Sequence, residues 1–253
     1  MAITVRNFFE NDDVEVTTRM HNFMVAEWKR DLSVDPGSAA SAWFSAQMNV
    51  RRRQLAIDLA QGPATVQAGA MQWMAGQVNM STGVRGAGDL LGKAFRGAAS
   101  GESAIKPEYT GNGLVVLEPT YKYILLEDVS QWGGGIVLED GIFLACSASL
   151  QQKTIRRTNV SSAVAGGEGI FNLGLTGQGV VALESPVPRE ELVEIILQND
   201  EVKIDGPYAI AWSPTLQFTV ERSSKSLIGS AASGEGLVNV YRGTGRLLMA
   251  PTR

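Results

Sequence analysis

The sequence predicts an all-β fold with internal threefold duplication, and three observations carry that expectation. A ten-residue stretch, Thr110-Gly111-Asn112-Gly113-Leu114-Val115-Val116-Leu117-Glu118-Pro119, returns twice. It reappears from Thr176-Gly177-Gln178-Gly179 to Pro186 and from Arg242-Gly243-Thr244-Gly245 to Pro251, so its first glycines stand at equal intervals of 66 residues. The chain's 28 glycines punctuate short runs of Val, Ile and Leu, the signature of strands joined by tight turns. Helical periodicity is confined to two short stretches, near 37–50 and 89–98. These signals divide the chain into an N-terminal extension (1–54) and three repeats at 55–128, 129–194 and 195–253. The first repeat carries the glycine-rich helical insertion.

In chain order, residues 3–9 alternate loosely and are expected as a first strand. One or two further strands are expected within 14–34, around Val14, Val16, Phe23, Met24, Val25 and Trp28. Asp35-Pro36-Gly37-Ser38 reads as a turn or helix start, and Ala39, Ala42, Trp43, Ala46 and Val50 follow at helical spacing. The three cations Arg51-Arg52-Arg53 suit the negative end of that helix. They read as a solvated helix end leading into a strand, in preference to a nucleic-acid patch.

The β-rich body begins at Leu55. Upstream of each recurring motif stands a glycine between two apolar runs, Gly69, Gly141 and Gly206, expected to supply the positive φ of a turn between strands. The motif itself reads as a hairpin, with Asn112-Gly113 as its type I′ turn. In the second and third copies Gln178 and Thr244 stand in place of Asn112, which leaves the turn to the glycines. Strands are expected at 104–109, 170–175 and 237–241. Each follows a Gly-Glu step, at Glu102, Glu168 and Glu235.

The glycine-rich stretch from Gly83 to Gly97 fails both phosphate-cradle patterns. Ala87 and Ala94 break the P-loop spacing around Gly92-Lys93, and Leu91 stands where a dinucleotide motif needs its third glycine. A formal charge of −4 and a pI near 5.2 argue against a dedicated nucleic-acid binder. A single cysteine, Cys146, excludes an intrachain disulfide and fits a reducing compartment. The sequence contains no apolar run long enough to cross a membrane as a helix, and no secretory or transit segment is read at its start, so a cytoplasmic protein is expected.

Gly69-Ala70-Met71 with Trp73-Met74, Gly92-Lys93-Ala94-Phe95, Gly101-Glu102-Ser103 and Leu117-Glu118-Pro119 together resemble the altered-inheritance-of-mitochondria family whose fungal member bears the number twenty-four. The resemblance spans roughly 55–251. It implies a fold like the tryptophan RNA-binding attenuation protein, in repeated β-sandwich or double-stranded β-helix-like units with a pseudo-threefold arrangement. Fungal relatives are mitochondrial and linked to inner-membrane organisation and respiratory-complex assembly, which implies a protein partner or a membrane-associated complex. The missing transit segment aligns the chain with bacterial-type members. The family supplies no catalytic set to carry over, and the acidic balance does not favour RNA as a partner.

Little in the sequence calls for catalysis. His21 is the only histidine and lies outside the repeats, which disfavours a cupin-like metal centre or a histidine-dependent nucleophile. Cys146 sits in an apolar run and reads as a buried, inert thiol. Met71, Trp73 and Met74 read as core or interface, and Tyr121 and Tyr123 as strand residues. The remaining candidates are Glu102, Glu168 and Glu235, which threefold packing would place equivalently as a carboxylate cluster for a cation. Turn-capping is the competing explanation for them. No cofactor is expected. The overall expectation is a non-enzymatic scaffold assembled as a trimer or ring, the alternative being a small-ligand or cation-binding module.

Overall fold

The computed structural model describes residues 3–83, 106–156, 171–222 and 237–252. Strands β1 (Val14–Met20) and β2 (Phe23–Trp28) form an antiparallel pair, and the short helix α1 (Ala39–Gln47) separates them from β3 (Arg53–Asp58). Then come β4 (Ala64–Val66), β5 (Met71–Ser81), β6 (Glu108–Leu117) and β7 (Tyr123–Asp128). The middle of the chain supplies β8 (Ile136–Leu138), β9 (Phe143–Ser147), β10 (Gln151–Arg156), β11 (Phe171–Thr176) and β12 (Val180–Ser185). The last stretch supplies β13 (Val193–Ile204), β14 (Ala209–Trp212), β15 (Gln217–Arg222) and β16 (Leu237–Met249). The all-β class is thus as expected, and α1 falls inside the expected 37–50. The expected helix at 89–98 lies outside the described residues.

The described strands assemble into two antiparallel sheets. One runs β1-β2-β3-β6-β4-β9-β12-β7 with β5 also on β6, and the other runs β10-β11-β8-β14-β16-β13 with β15 also on β16. The first sheet curls until β7 approaches β1 and β3, and the bridge between Arg53 and Thr120 joins β3 to the approach of β7. Phe23, Leu55, Ile57, Val115, Leu117, Leu126 and Ala182 fill the inside of this near-barrel. A second core lies between the sheets, where Trp132, Phe143, Cys146 and Leu183 meet Ile136, Leu175, Ile210 and Leu248. β1–β7 all belong to the first sheet and β13–β16 all to the second. Between them β8, β10 and β11 alternate with β9 and β12 from sheet to sheet, so the middle of the chain stitches the layers together.

Two expectations are corrected. Residues 3–9 form no strand; Phe8 is buried there and, with Val5 and Phe9, covers the outer face of β1, β2 and β3. Its ring packs edge-on against Trp73 with centroids 5.6 Å apart. The second correction concerns the recurring motif, which is not a hairpin. Gly111-Asn112-Gly113 lies within β6, paired in regular register with Gln77 and Gly76 of β5, and Gly243-Thr244-Gly245 lies within β16. At these glycines a long strand exchanges partners. β6 leaves β4 for β3, and β16 leaves β15 for β14. In the second copy, Gly177-Gln178-Gly179 carries the chain from β11 in one sheet to β12 in the other. The need for glycine is nonetheless real, since φ is +116°, +114° and +126° at Gly111, Gly177 and Gly243. Gly69, Gly141 and Gly206 occupy turns as expected, with φ of +81°, +75° and +83°. The strands they join pair with third strands instead of with each other.

The second and third glycine pairs share their surroundings atom for atom. Ser149 Oγ donates to the Gln178 carbonyl at 2.9 Å, and Thr215 Oγ1 donates to the Thr244 carbonyl at 2.7 Å. Ser147 Oγ accepts from Val180 N at 3.0 Å, and Ser213 Oγ accepts from Arg246 N at 3.1 Å. A side chain at Gly179 or Gly245 would have its Cβ 2.8 Å from the Cβ of Ser147 or Ser213 respectively. In the first copy the neighbour is β5 itself, and a Cβ on Gly111 would stand 2.1 Å from the Gln77 carbonyl oxygen.

Candidate functional site

Of the residues singled out from the sequence, Glu102, Glu168 and Glu235 lie outside the described residues. Among the described residues no group of three His, Cys, Asp or Glu side chains is placed to hold a metal ion. His21 occupies the tight turn between β1 and β2 with φ +50°, exposed and near Asp128. Cys146 is fully buried in β9, and desolvation pushes its thiol up to about 12. Its sulfur lies 4.0 Å from Gln152 Nε2, and the chain's single histidine, His21, is on the exposed turn. Met71 and Trp73 pack against core clusters, while Met74 remains about half exposed. Tyr123 opens β7, but Tyr121 belongs to the bend before it and is exposed.

The feature that stands apart is α1. A helix on a folded body normally turns its large apolar side chains inward. Here the order is reversed: Ala42, Ser45 and Ala46 are half-buried, while Trp43, Phe44 and Met48 are 65 %, 69 % and 78 % exposed. Ala40, Trp43, Phe44, Gln47 and Met48 follow the i, i+3, i+4, i+7, i+8 spacing of a core-facing stripe, but this stripe faces solvent. Leu32, 70 % exposed, extends the patch from the preceding loop. The chain from Ser38 to Val50 contains no charged residue. Ala42, Ser45 and Ala46, with Trp43 and Gln47 at the edge of the stripe, line a groove of about 700 Å³ together with Leu32, Asp31, Asp35 and Arg52.

The residues after α1 fix it in place. Arg53 is 2 % exposed, so the expectation of a solvated helix end is corrected at this position. Its Nε donates to Glu27 Oε2 at 2.8 Å, and its Nη atoms donate to the carbonyls of Asn49, Arg51 and Tyr121 at 3.2–3.3 Å. The guanidinium also lies 3.8 Å from the ring centroid of Tyr123. Asn49, in turn, donates from Nδ2 to Tyr123 Oη at 3.1 Å. Arg51 pairs with Glu27 at 3.1 Å and Arg52 with Asp31 at 3.0 Å. Arg52 Nε donates to Tyr121 Oη, a bond that raises the arginine's pKa. At the other end Asp35 is held by Ser38 Oγ and the backbone amides of Gly37 and Ser38, which lower its pKa. The helix therefore has a carboxylate before it and guanidinium groups behind it. Sequence reasoning found the helix and its arginines. It missed the orientation, because Ala42 and Ala46 fit an inward face as well as Trp43 does.

Among the described residues no helix is long and apolar enough to cross a membrane. Comparison with known proteins agrees with the β architecture. An uncharacterized protein of Streptococcus pyogenes serotype M6 is 30 % identical over 200 residues, spanning 76 % of this chain and 78 % of that protein. The crystal structure of the protein SPYM3_0169 from Streptococcus pyogenes superposes with a TM-score of 0.59 at 26 % identity, covering 81 % of this chain and 89 % of that one. Residues 44–252 match the family described as Mitochondrial biogenesis AIM24. That match takes in Arg51, Arg52 and Arg53 and all strands from β3 to β16, and the chain belongs to the Mitochondrial biogenesis AIM24 family.

Proposed function

We propose that the protein is a non-enzymatic β-scaffold that assembles with itself, built by triplication of one β-unit. The observation that carries this reading is the outward apolar stripe of α1 on a rigidly anchored helix. Exposed Trp43, Phe44, Met48 and Leu32 form a contiguous patch of the kind that marks interaction surfaces. The matched surroundings of Gly177–Gly179 and Gly243–Gly245 support a common origin for the second and third units, and the equal 66-residue spacing is what extends that reading to the first. Support for a non-enzymatic role comes from Cys146, buried and protonated, and from His21, exposed beside Asp128 on a turn.

The test is the mass in solution. Sedimentation across a wide concentration range is expected to show species that are multiples of the 27.1 kDa chain. A 27.1 kDa species at every concentration would sink the scaffold reading.

A further inference from the structure

We propose that the outward stripe of α1 is a homodimer interface, occupied by α1 of a second copy packed antiparallel across a twofold axis. The inference rests on the self-assembly reading and specifies its occupant and geometry. Three features of the helix lead to it.

The first is pattern. The stripe Ala40, Trp43, Phe44, Gln47 and Met48 has the spacing that helices bury against other helices, and it is left uncovered by the chain's own body. Its half-buried opposite side is made of Ala42, Ser45 and Ala46, so the large side chains are not spare core residues that slipped outward. The second is area. Leu32, Trp43, Phe44 and Met48, each about two-thirds exposed or more, present on the order of 500 Å² of apolar surface. A standard interface buries about 800 Å² per partner around such an apolar centre.

The third is charge. The helix carries no charge, so two copies meet at their centres without repulsion. Asp35 lies before the helix, and among the described residues no cation lies within ion-pair distance of it. Arg51 and Arg52 lie behind the helix, and Arg52 is more exposed than the Asp31 that pairs with it, 40 % against 26 % for the side chains. Antiparallel packing brings Asp35 of each copy toward Arg52 of the other and opposes the two helix dipoles favourably. A twofold axis makes the contact self-complementary, and it closes after two chains. An anionic lipid surface is the other apolar-plus-basic occupant to weigh, and the negative charge of Asp35 beside the stripe disfavours it.

The experiment compares the unmodified protein with the variant carrying Trp43→Ser, Phe44→Ser and Met48→Ser, by sedimentation velocity over a concentration series. None of the three side chains is buried, so the variant is expected to keep its melting temperature while its dimer dissociation constant rises at least tenfold. In parallel, Phe44→Cys is expected to give covalent dimers with a short bismaleimide, whereas Ile196→Cys, equally exposed but on β13, is not. The native Cys146 is fully buried and does not compete. An oligomer whose mass survives the triple substitution, with no cross-link through position 44, would overturn this interface while leaving self-assembly standing. A protein that stays monomeric overturns both. A monomer that sediments with phosphatidylglycerol vesicles, but not with phosphatidylcholine ones, through the same three residues would replace the second copy by a lipid surface.

Discussion

Arg53 is the residue on which the end of α1, the start of β3 and the entry to β7 converge. A buried guanidinium is costly to desolvate, and here its fork is filled by one carboxylate and three backbone carbonyls. Arg53→Ala leaves those acceptors without their donor, and Glu27 keeps only Arg51. The expected loss is about 3 kcal/mol of stability, as for breaking one side of a buried pair, read from chemical denaturation. Arg53→Lys should recover only part of it, because an ammonium cannot reproduce the fork; full recovery by lysine would refute the clamp. A second residue-scale expectation concerns Glu221. Hydrogen bonds from Arg242, and then from Thr219, hold its carboxyl down to about 2. A depressed folded-state value stabilises above the ordinary carboxylate range and is lost as pH falls from about 4.5 toward 2. Arg242→Ala should therefore flatten the fall in melting temperature between pH 5 and pH 3. An unchanged slope would show that the pair is not coupled to folding.

At the scale of elements, the recurring Gly-x-Gly is where a strand changes neighbours, and its glycines differ in what they must avoid. Gly69 sits at φ +81° with nothing within 4 Å of an added Cβ, so Gly69→Ala meets only backbone strain, about 1 kcal/mol. Gly111 sits at φ +116° with the Gln77 carbonyl oxygen 2.1 Å from an added Cβ, so β5 and β6 must part to admit a methyl group. Gly111→Ala should cost at least about 3 kcal/mol. Equal losses from the two substitutions in urea titrations would contradict the close approach. These same glycines show what was legible in the sequence. Their equal spacing and the need for positive φ could be read directly, because few other residues tolerate that backbone. Whether Asn112-Gly113 closes a hairpin or runs on as strand could not be read, because pairing with Gly76 and Gln77 is set by a strand more than thirty residues away. The serine and threonine brackets at Ser147, Ser149, Ser213 and Thr215 had a faint sequence signal in Ser-Ala-Ser-Leu and Ser-Pro-Thr-Leu. Only the hydrogen bonds to the glycine pairs give it meaning.

For the whole molecule, the all-β class followed from glycine punctuation and short apolar runs, and the core residues from their apolar character. The near-barrel curl of one sheet was not visible, because it depends on contacts between β7 and strands about seventy and a hundred residues earlier. Nor was the outward stripe of α1, since periodicity gives a helix face but not its direction. Two further expectations belong at this scale. Cys146, buried with its thiol pushed up to about 12, should resist maleimide at neutral pH until the protein unfolds, so that labelling tracks global unfolding in denaturant. Labelling well below the unfolding midpoint would mean that the layers open locally. If Glu102, Glu168 and Glu235 share a cation, calcium should raise the melting temperature, and replacement of all three by glutamine should abolish that rise. No calcium response in the unmodified protein would dispose of the cation-binding alternative.

The stitching of the two sheets also bears on how the chain emerges from the ribosome. Every described strand of the nine-stranded sheet has been made once β12 ends at Ser185, whereas β16, which pairs with β13, β14 and β15, is finished only at Met249. At about 5–20 residues per second the interval is roughly 3–13 seconds. Throughout it Ile136 and Leu138 of β8 lack the Leu248 that joins them in the finished core, and until β14 is made they lack Ile210 as well. Nascent chains stalled with Ser185 just outside the tunnel should therefore protect β3 and β6 from protease while β8 is still cut. Protection of β8 should arrive only with the last strand, making the C-terminal residues the lock on a layer begun more than a hundred residues earlier.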